Sequence, residues 1–414
     1  MLKEAIILAG GLGTRLRDTV PGLPKCMAPV AAEPFLTYVI RHLLSQGIER
    51  FIFSLGYKHE IIETFLEERF GTINYQCVIE DEPLGTGGAI KLALEQVREK
   101  EVLVVNGDTL FKIEAKSVSD FHQQQNTECT IVLKPMKNFD RYGVVELEKD
   151  HHVKSFREKK QYTEGLINGG IYVLDVAKLM TEKFPSKFSF EKDYLEKFYS
   201  SKKIAGFIQD KYFIDIGIPE DYTRAQTELA YPKPDLNKVD KSWTLFLDRD
   251  GVINHEKFED YILNKTEFRF FDGVHEAMKI LAPLFRHIII ISNQRGIGKG
   301  LMTEDDLADI HLFMNAAIET AGGRIDRIYY CTSTERKNFN RKPNPGMALE
   351  AKLDFPDIDF SKTIIAGNKL TDMLFGRNAG IHTVFIASTN PEVSYPHPDI
   401  DLRFNSLLEF AKAL

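Results

Sequence analysis

The chain has 414 residues, of which 43% are hydrophobic, 27% charged and 11% aromatic. That length is more than one hydrophobic core usually serves, and the composition excludes disordered, collagen-like and coiled-coil chains. A formal net charge of −7 argues against a general nucleic-acid surface, and the longest purely aliphatic run, Ile288 to Ile291, is far short of a membrane span.

Met1-Leu2-Lys3-Glu4 leads straight into the apolar run Ala5 to Leu8 without a secretory h-region, which implies a cytoplasmic chain. Ala5 to Leu8, Phe51 to Leu55 and Val102 to Val105 read as buried parallel strands, with helical spacing at Phe35 to Gln46 and Glu60 to Arg69 and a helix stop at Gly47. Phe190 to Phe198 and Tyr222 to Leu229 add further helices. The polar stretch 231–242, with Pro232 and Pro234, reads as a linker. Beyond it the rhythm restarts with strands at Thr244 to Leu247, Ile288 to Ile291, Arg327 to Tyr330, Thr363 to Ala366 and Thr383 to Ile386, and a helix at Val274 to Leu281. The pattern predicts two Rossmann-like α/β domains, at 1–230 and 243–414.

The first domain opens with Leu8-Ala9-Gly10-Gly11-Leu12-Gly13-Thr14-Arg15-Leu16, directly after a strand. Glycines let a backbone turn tightly and offer N–H groups to a polyphosphate, so Leu8, Gly10, Gly11, Gly13 and Thr14 are candidate nucleotide contacts. Arg15 supplies a bidentate cation for the same oxygens. The spacing matches neither the dinucleotide fingerprint nor the P-loop. Lys25, between Pro24 and Pro29, suits a point charge on a phosphate. A second glycine-rich turn, Glu82-Pro83-Leu84-Gly85-Thr86-Gly87-Gly88, has small residues against which a flat ring can lie, while Glu82 can accept from a base edge. Asp108 and Asp215 each end an apolar strand, where open α/β sheets bind ligands, and two carboxylates can share a divalent cation that bridges phosphate oxygens.

These motifs, with Asn106-Gly107-Asp108 and Phe213-Ile214-Asp215-Ile216-Gly217, resemble the sugar-1-phosphate nucleotidyltransferases over nearly all of 1–230. Within that family the wording is most similar to the branch that activates D-glycero-α-D-manno-heptose 1-phosphate with GTP. The resemblance implies a mixed sheet, catalysis by Arg15 and Lys25, and Mg²⁺ on Asp108 and Asp215. It also implies a sugar-phosphate side built from Asn106, Gly143, Glu158, Lys159, Asn168 and Gly169.

In the second domain Asp248-Arg249-Asp250-Gly251 places two carboxylates just after a buried strand. Asp248 can attack phosphorus, and Asp250 can protonate the leaving oxygen and later activate water. A pair this close would repel unless a divalent metal shared it. Ser292-Asn293-Gln294 ends another strand in phosphate donors, Arg341-Lys342-Pro343 offers cations on a turn, and Asn368 and Asp372 follow a third strand. Together these resemble the haloacid-dehalogenase-like phosphatases, within them the group acting on D-glycero-D-manno-heptose 1,7-bisphosphate, with the histidinol-phosphate phosphatases as near neighbours. That implies a parallel sheet without a large cap, phosphate contacts from Ser292, Asn293, Arg341 and Lys342, and Mg²⁺ held by Asp248, Asp250 and the segment of Asn368 and Asp372.

Two departures stand out. Relatives carry aspartate where this chain has Asn368, which weakens Mg²⁺ binding unless Asp372 enters the shell. They also commonly hold zinc on a cysteine-histidine loop, whereas Cys331 stands alone here with Asn338-Phe339-Asn340 beyond it, so no zinc is expected. The resulting expectation is a bifunctional enzyme whose partners are GTP, heptose 1-phosphate and heptose 1,7-bisphosphate, with no nucleic acid and no membrane; a homo-oligomer is compatible with it. The alternative is a nucleotidyltransferase acting on heptose or mannose 1-phosphate beside a catalytically silent phosphatase-like scaffold.

Overall fold

The alternation of aliphatic runs with amphipathic segments folds as strand-helix-strand units, because each run must be covered on both faces. The computed structural model describes residues 2–11, 20–201, 203–258 and 260–414, which form two compact units, Met1–Ala230 and Tyr231–Leu414.

In the first unit, β1 (Glu4–Leu8), β2 (Arg50–Leu55), β3 (Asn74–Ile79) and β4 (Glu101–Asn106) pair in parallel in the order β4-β1-β2-β3. Helix α1 (Phe35–Ser45) buries Phe35, Leu36, Val39, Ile40, Leu43 and Leu44, the spacing of one helical face. Gly47, at φ +87°, follows its last turn and supplies the left-handed residue that ends it. Two further helices are α2 (His59–Phe70) and α3 (Gly85–Leu94).

Beyond β4 the short strand β5 (Thr109–Phe111) leads through α4 (Ala115–Gln125) to the long strand β6 (Cys129–Phe139), then β7 (Val144–Leu147), β8 (Val153–Arg157) and β9 (Tyr162–Asp175). Strand β9 runs antiparallel to both β4 and β6, which makes the nine-stranded sheet mixed. Its register shifts between Asn168 and Tyr172. Strand β10 (Ile204–Ile208) pairs in parallel with β6, and β11 (Phe213–Asp215) pairs with β5, opposing Asp215 to Thr109. The helix expected over Phe190 to Phe198 differs in form: Phe190–Leu195 is a wide π-type turn, with Phe190 and Tyr194 stacked at 4.9 Å, and an α-turn covers Glu196–Phe198.

The second unit is a six-stranded, wholly parallel sheet of β12 (Thr244–Leu247), β13 (His287–Asn293), β14 (Arg327–Cys331), β15 (Thr363–Gly367), β16 (His382–Ile386) and β17 (Leu402–Phe404), in the order β14-β13-β12-β15-β16-β17. The stretch read as a linker is not free of this unit. Leu236 and Val239 pack on its core, Lys241 donates to the carbonyls of Ala282 and Phe285, and the Arg377 guanidinium lies 4.4 Å from the Tyr231 ring. No helix among the described residues is long and apolar enough to cross a membrane.

Candidate active sites

Strand β1 ends between β2 and β4, with Leu8 opposite Ser54 on one side and Asn106 on the other. The carboxyl ends of these parallel strands open onto a cavity of about 960 Å³. Leu8, Gly10, Gly11, Lys25, Glu82, Gly85, Thr86, Asn106, Asp108 and Asp215 all line it. Gly13, Thr14 and Arg15 lie outside the described residues.

Lys25 sits in the turn Lys25–Met27, whose neighbours Cys26 and Met27 are buried. Its Nζ donates to Asp108 Oδ2 at 2.6 Å and Asp215 Oδ1 at 3.1 Å. Burial opposes its charge, but the two carboxylates outweigh that and raise its pKa. The elements explain the convergence: Asp108 follows β4, and Asp215 closes β11 on β5 directly beside it.

The glycine-rich turn is partly committed elsewhere. Gly85 has φ +73° and, like Gly87 and Gly88, lies against the 186–188 backbone. Gly87 faces away from the cavity: its N–H donates to the Phe188 carbonyl, and a Cβ there would lie 2.2 Å from the Phe188 ring. Gly87, expected as a nucleotide contact, is not among the residues that line the cavity. Thr86 lines the cavity, but its hydroxyl donates to Glu191 and accepts from the Phe190 N–H. A residue missed from the sequence is Glu80. Its Oε2 accepts from the Leu84 N–H at 3.0 Å, and its Oε1 would lie 2.9 Å from a Cβ at Gly10, which places the carboxylate against the first glycine loop. Glu82 is at the exposed rim.

On the expected sugar side, Asn168 donates to the Tyr172 hydroxyl and accepts from the Gly170 N–H. Gly170, at φ +70°, lies against Asn106, and Gly169 packs on Phe111, so the irregular segment of β9 abuts the cavity through Asn106. Gly143 packs on the Arg157 carbonyl. Glu158 and Lys159 are exposed on the turn after β8 and are not among the cavity-lining residues.

In the second unit Asp248, Ser292–Asn293 and Asn368 gather at the carboxyl edge of β12, β13 and β15. Lys342 Nζ lies 2.9 Å from Asp248 Oδ1 and 2.6 Å from Asp372 Oδ1, and donates to the Ile291 carbonyl at 2.8 Å. Burial pushes the Asp248 carboxyl up to about 7; Lys342 pulls against that, and Asp372 and Asp250 reinforce it. Ser292 is buried and accepts from Gln294 at 2.8 Å.

Four of the residues expected at this site already have partners within the protein. For Asp250 burial would raise the pKa, but Arg249, together with Asn254 and Gln294, holds it below the usual carboxylate range. Arg249 itself is fully buried and forks onto both Asp250 oxygens at 2.9 Å. Asn293 pairs with the Lys342 backbone, donating one amide N–H to its carbonyl and accepting from its N–H, each at 3.1 Å. Arg341 donates to the Thr334 carbonyl, and burial and the charges of Arg295 and Arg336 lower its pKa. In Asp372 one oxygen pairs with Lys342 and the other accepts from the Lys369 N–H. Arg249 and Gln294 were thus missed as site residues. The signal available was a cation placed between two aspartates.

The donor sets differ in what they can hold. Among the described residues, no group of three His, Cys, Asp or Glu side chains suited to a metal is gathered. Two carboxylates at Asp108 and Asp215 fit a hard cation that keeps waters and shares phosphate oxygens. In the second site Asn368 is fully buried and its Oδ1 has no hydrogen-bond partner, an orphaned oxygen that also fits a hard cation. Cys331 is buried and donates weakly to Asn338, which also accepts from the Asn340 N–H, so asparagine contacts organise this loop.

A mixed sheet with a phosphate loop and carboxylates at its carboxyl edge, followed by a parallel sheet with an Asp-x-Asp edge, defines a nucleotidyltransferase joined to a phosphatase-family domain of haloacid-dehalogenase-like fold. Residues 4–231 match the nucleotidyl transferase family, and the chain belongs to it. Residues 244–410 match the family described as polynucleotide kinase 3 phosphatase. The D-glycero-α-D-manno-heptose 1-phosphate guanylyltransferase of Aneurinibacillus thermoaerophilus is 50% identical over 228 residues, 55% of this chain and 99% of its own length. The protein of the same name from Campylobacter jejuni is 43% identical over 219 residues, 53% of this chain and 96% of its own. The crystal structure of HddC from Yersinia pseudotuberculosis complexed with GMP-PN is 36% identical with a TM-score of 0.50, covering 55% of this chain and 100% of that one.

Proposed function

We propose that the chain makes GDP-D-glycero-α-D-manno-heptose in the cytoplasm by two steps: removal of the 7-phosphate from heptose 1,7-bisphosphate, then guanylyl transfer from GTP to the heptose 1-phosphate so formed. The observation that carries the reading is the cavity where Lys25, Asp108, Asp215 and Glu80 meet beside a glycine-rich loop. The names of the two guanylyltransferase relatives supply the sugar, and the GMP-PN complex supports the base. The second unit's product is the first unit's substrate, so each half supports the other.

In the transfer step an oxygen of the sugar 1-phosphate attacks the α-phosphorus in line, and pyrophosphate leaves. Little covalent help is needed, so positioning and charge neutralisation carry the rate. Asp108 and Asp215 would hold Mg²⁺, which when bound neutralises phosphate charge. Lys25, with Arg15, would meet the phosphate oxygens. Guanine presents two adjacent donors, N1–H and the 2-amino group, and a carboxylate accepts both; adenine offers an acceptor there. Glu80 is therefore the base acceptor in this reading, in place of Glu82.

In the phosphatase step Asp248 would attack phosphorus, and Lys342 would hold its charge. Asp250, held ionised by Arg249, suits activation of the water that hydrolyses the aspartyl-phosphate. Protonating the departing alkoxide requires its carboxyl to gain a proton first. Asn368 would add a neutral oxygen to the Mg²⁺ shell. That neutral oxygen, with the clamped Asp250, also favours the second reading, a silent phosphatase-like scaffold.

The deciding experiment is a panel of nucleoside triphosphates against heptose and hexose 1-phosphates, with products identified by mass, run beside phosphate release from heptose 1,7-bisphosphate. GDP-heptose as the dominant product and release of one phosphate support the reading. A different base or sugar overturns the transfer assignment, and absent phosphate release leaves the scaffold reading.

A further inference from the structure

We propose that Lys25 is a removable counter-ion: it neutralises Asp108 and Asp215 in the free protein, and moves onto the phosphates when nucleotide enters. The inference rests on the reading of Asp108 and Asp215 as a cation site. It adds that metal and nucleotide binding are coupled through one side chain.

The geometry points to this in three ways. First, the Lys25 ammonium lies between the two carboxylates, at 2.6 and 3.1 Å, so a divalent ion shared by them must compete with it. Second, the lysine backbone is anchored by buried Cys26 and Met27 and by Pro24, whereas its Nζ lies on the wall of the 960 Å³ cavity. The stem is held by its neighbours, and the side chain, 14% exposed, belongs to the cavity wall. Third, a Cβ at position 217 would lie 2.9 Å from both Lys25 Nζ and Asp215 Oδ1, so glycine there leaves the head group clearance. Phosphate oxygens are strong acceptors for an ammonium, and a triphosphate in the cavity offers Lys25 a better partner than carboxylates that also serve a cation. By linkage, whatever draws Lys25 away from Asp108 and Asp215 raises their affinity for metal, and metal bound there raises affinity for nucleotide equally.

The second unit provides the contrast. Lys342 also bridges two aspartates, but its side chain is 2% exposed and donates in addition to the Ile291 carbonyl. Lys342 has no exit, so it is a permanent member of its site.

The test is Mn²⁺ binding by electron paramagnetic resonance without nucleotide, on the full chain in an Asp248→Asn background that weakens the second site. Lys25→Met and Lys25→Gln should each bind Mn²⁺ at least tenfold more tightly than the Lys25 parent, and Asp108→Asn added to either should remove the gain. On the unmodified chain, saturating Mn²⁺ alone should raise acylation of Lys25 severalfold, read by peptide mass spectrometry, because the amine is released from its carboxylates. This second measurement needs no variant to fold. Unchanged Mn²⁺ affinity in folded variants, or unchanged Lys25 acylation, overturns the proposal. A fluorescent GTP analogue separates the two levels: if it binds while those readouts stay flat, the counter-ion role falls and the nucleotide site stands. If it does not bind and Mn²⁺ ignores Asp108→Asn, the site reading falls as well.

Discussion

Both units carry a lysine bridging two aspartates at the carboxyl edge of a sheet, yet the two arrangements have opposite surroundings. In the first, Asp108 and Asp215 are 35% and 28% exposed at the side chain and face a large cavity. In the second, Asp248 and Asp372 are 8% and 1% exposed and Lys342 is sealed beneath them. The difference fits what each is proposed to bind. A nucleoside triphosphate and a sugar ester are large and exchange whole, so their charges are met by groups with room to move. A single phosphoryl group transferred to a protein carboxylate needs a nucleophile that does not move, and burial with fixed partners provides that.

The sharpest way to break the comparison is to remove one carboxylate from each site. Asp248→Asn deletes the proposed nucleophile, and phosphate release from heptose 1,7-bisphosphate should fall by on the order of 10⁴-fold or more, with guanylyl transfer from supplied heptose 1-phosphate unchanged. Asp108→Asn should lower pyrophosphate release by about a thousandfold and leave phosphate release alone. If either change depressed both activities alike, the two units would not be independent catalysts.

What the sequence disclosed depends on how far apart the interacting residues lie. The strand-helix rhythm, the glycine loop and the strand-end carboxylates are local patterns, and local spacing announces them. The Lys25, Asp108 and Asp215 contact was approachable because each residue stands in its own recognisable motif. The commitment of Thr86 and Gly87 was not legible, since their partners are Phe188, Phe190 and Glu191, about a hundred residues away. Asn293 reads as a phosphate donor because it ends a buried strand; that it also pairs with the backbone of Lys342 is something no spacing reveals. Glu80 could not be picked out locally: in Glu80-Asp81-Glu82 any of the three acids suits a base edge, and it is the bond from the Leu84 N–H and the approach to Gly10 that distinguish the first.

Glu80 gives the next and smaller effect. Glu80→Gln keeps the shape but replaces one acceptor oxygen with a donor, so one guanine N–H loses its partner. Leaving a buried polar group unpaired costs about 1–3 kcal/mol, so kcat/KM for GTP should fall roughly 10–100-fold, and that for ATP should hold or rise. A loss shared equally by GTP and ATP would assign Glu80 to holding the turn at Leu84 rather than to reading the base.

The smallest effect probes the oddity of the second site. Asn368 donates to Glu256 at 3.0 Å and to Thr389 at 2.6 Å, leaving its Oδ1 unpartnered. Restoring a carboxylate by Asn368→Asp has two opposed consequences. Without metal, two carboxylates would face each other at the part-buried contact with Glu256, and like charges repel there, though Lys369 beside Glu256 offsets part of the effect. The melting temperature of the second unit should therefore drop, by about 2–4 °C for a domain of this size. With Mg²⁺ the sign reverses: a charged oxygen binds a hard cation better than a neutral one, so half-saturation of phosphate release should need about tenfold less Mg²⁺ and the melting temperature should recover. A variant that melts lower with and without Mg²⁺, at unchanged half-saturation, would place Asn368 outside the cation shell. Its amide would then serve to anchor Glu256, and the buried site would owe its fixity to hydrogen bonds rather than to an ion.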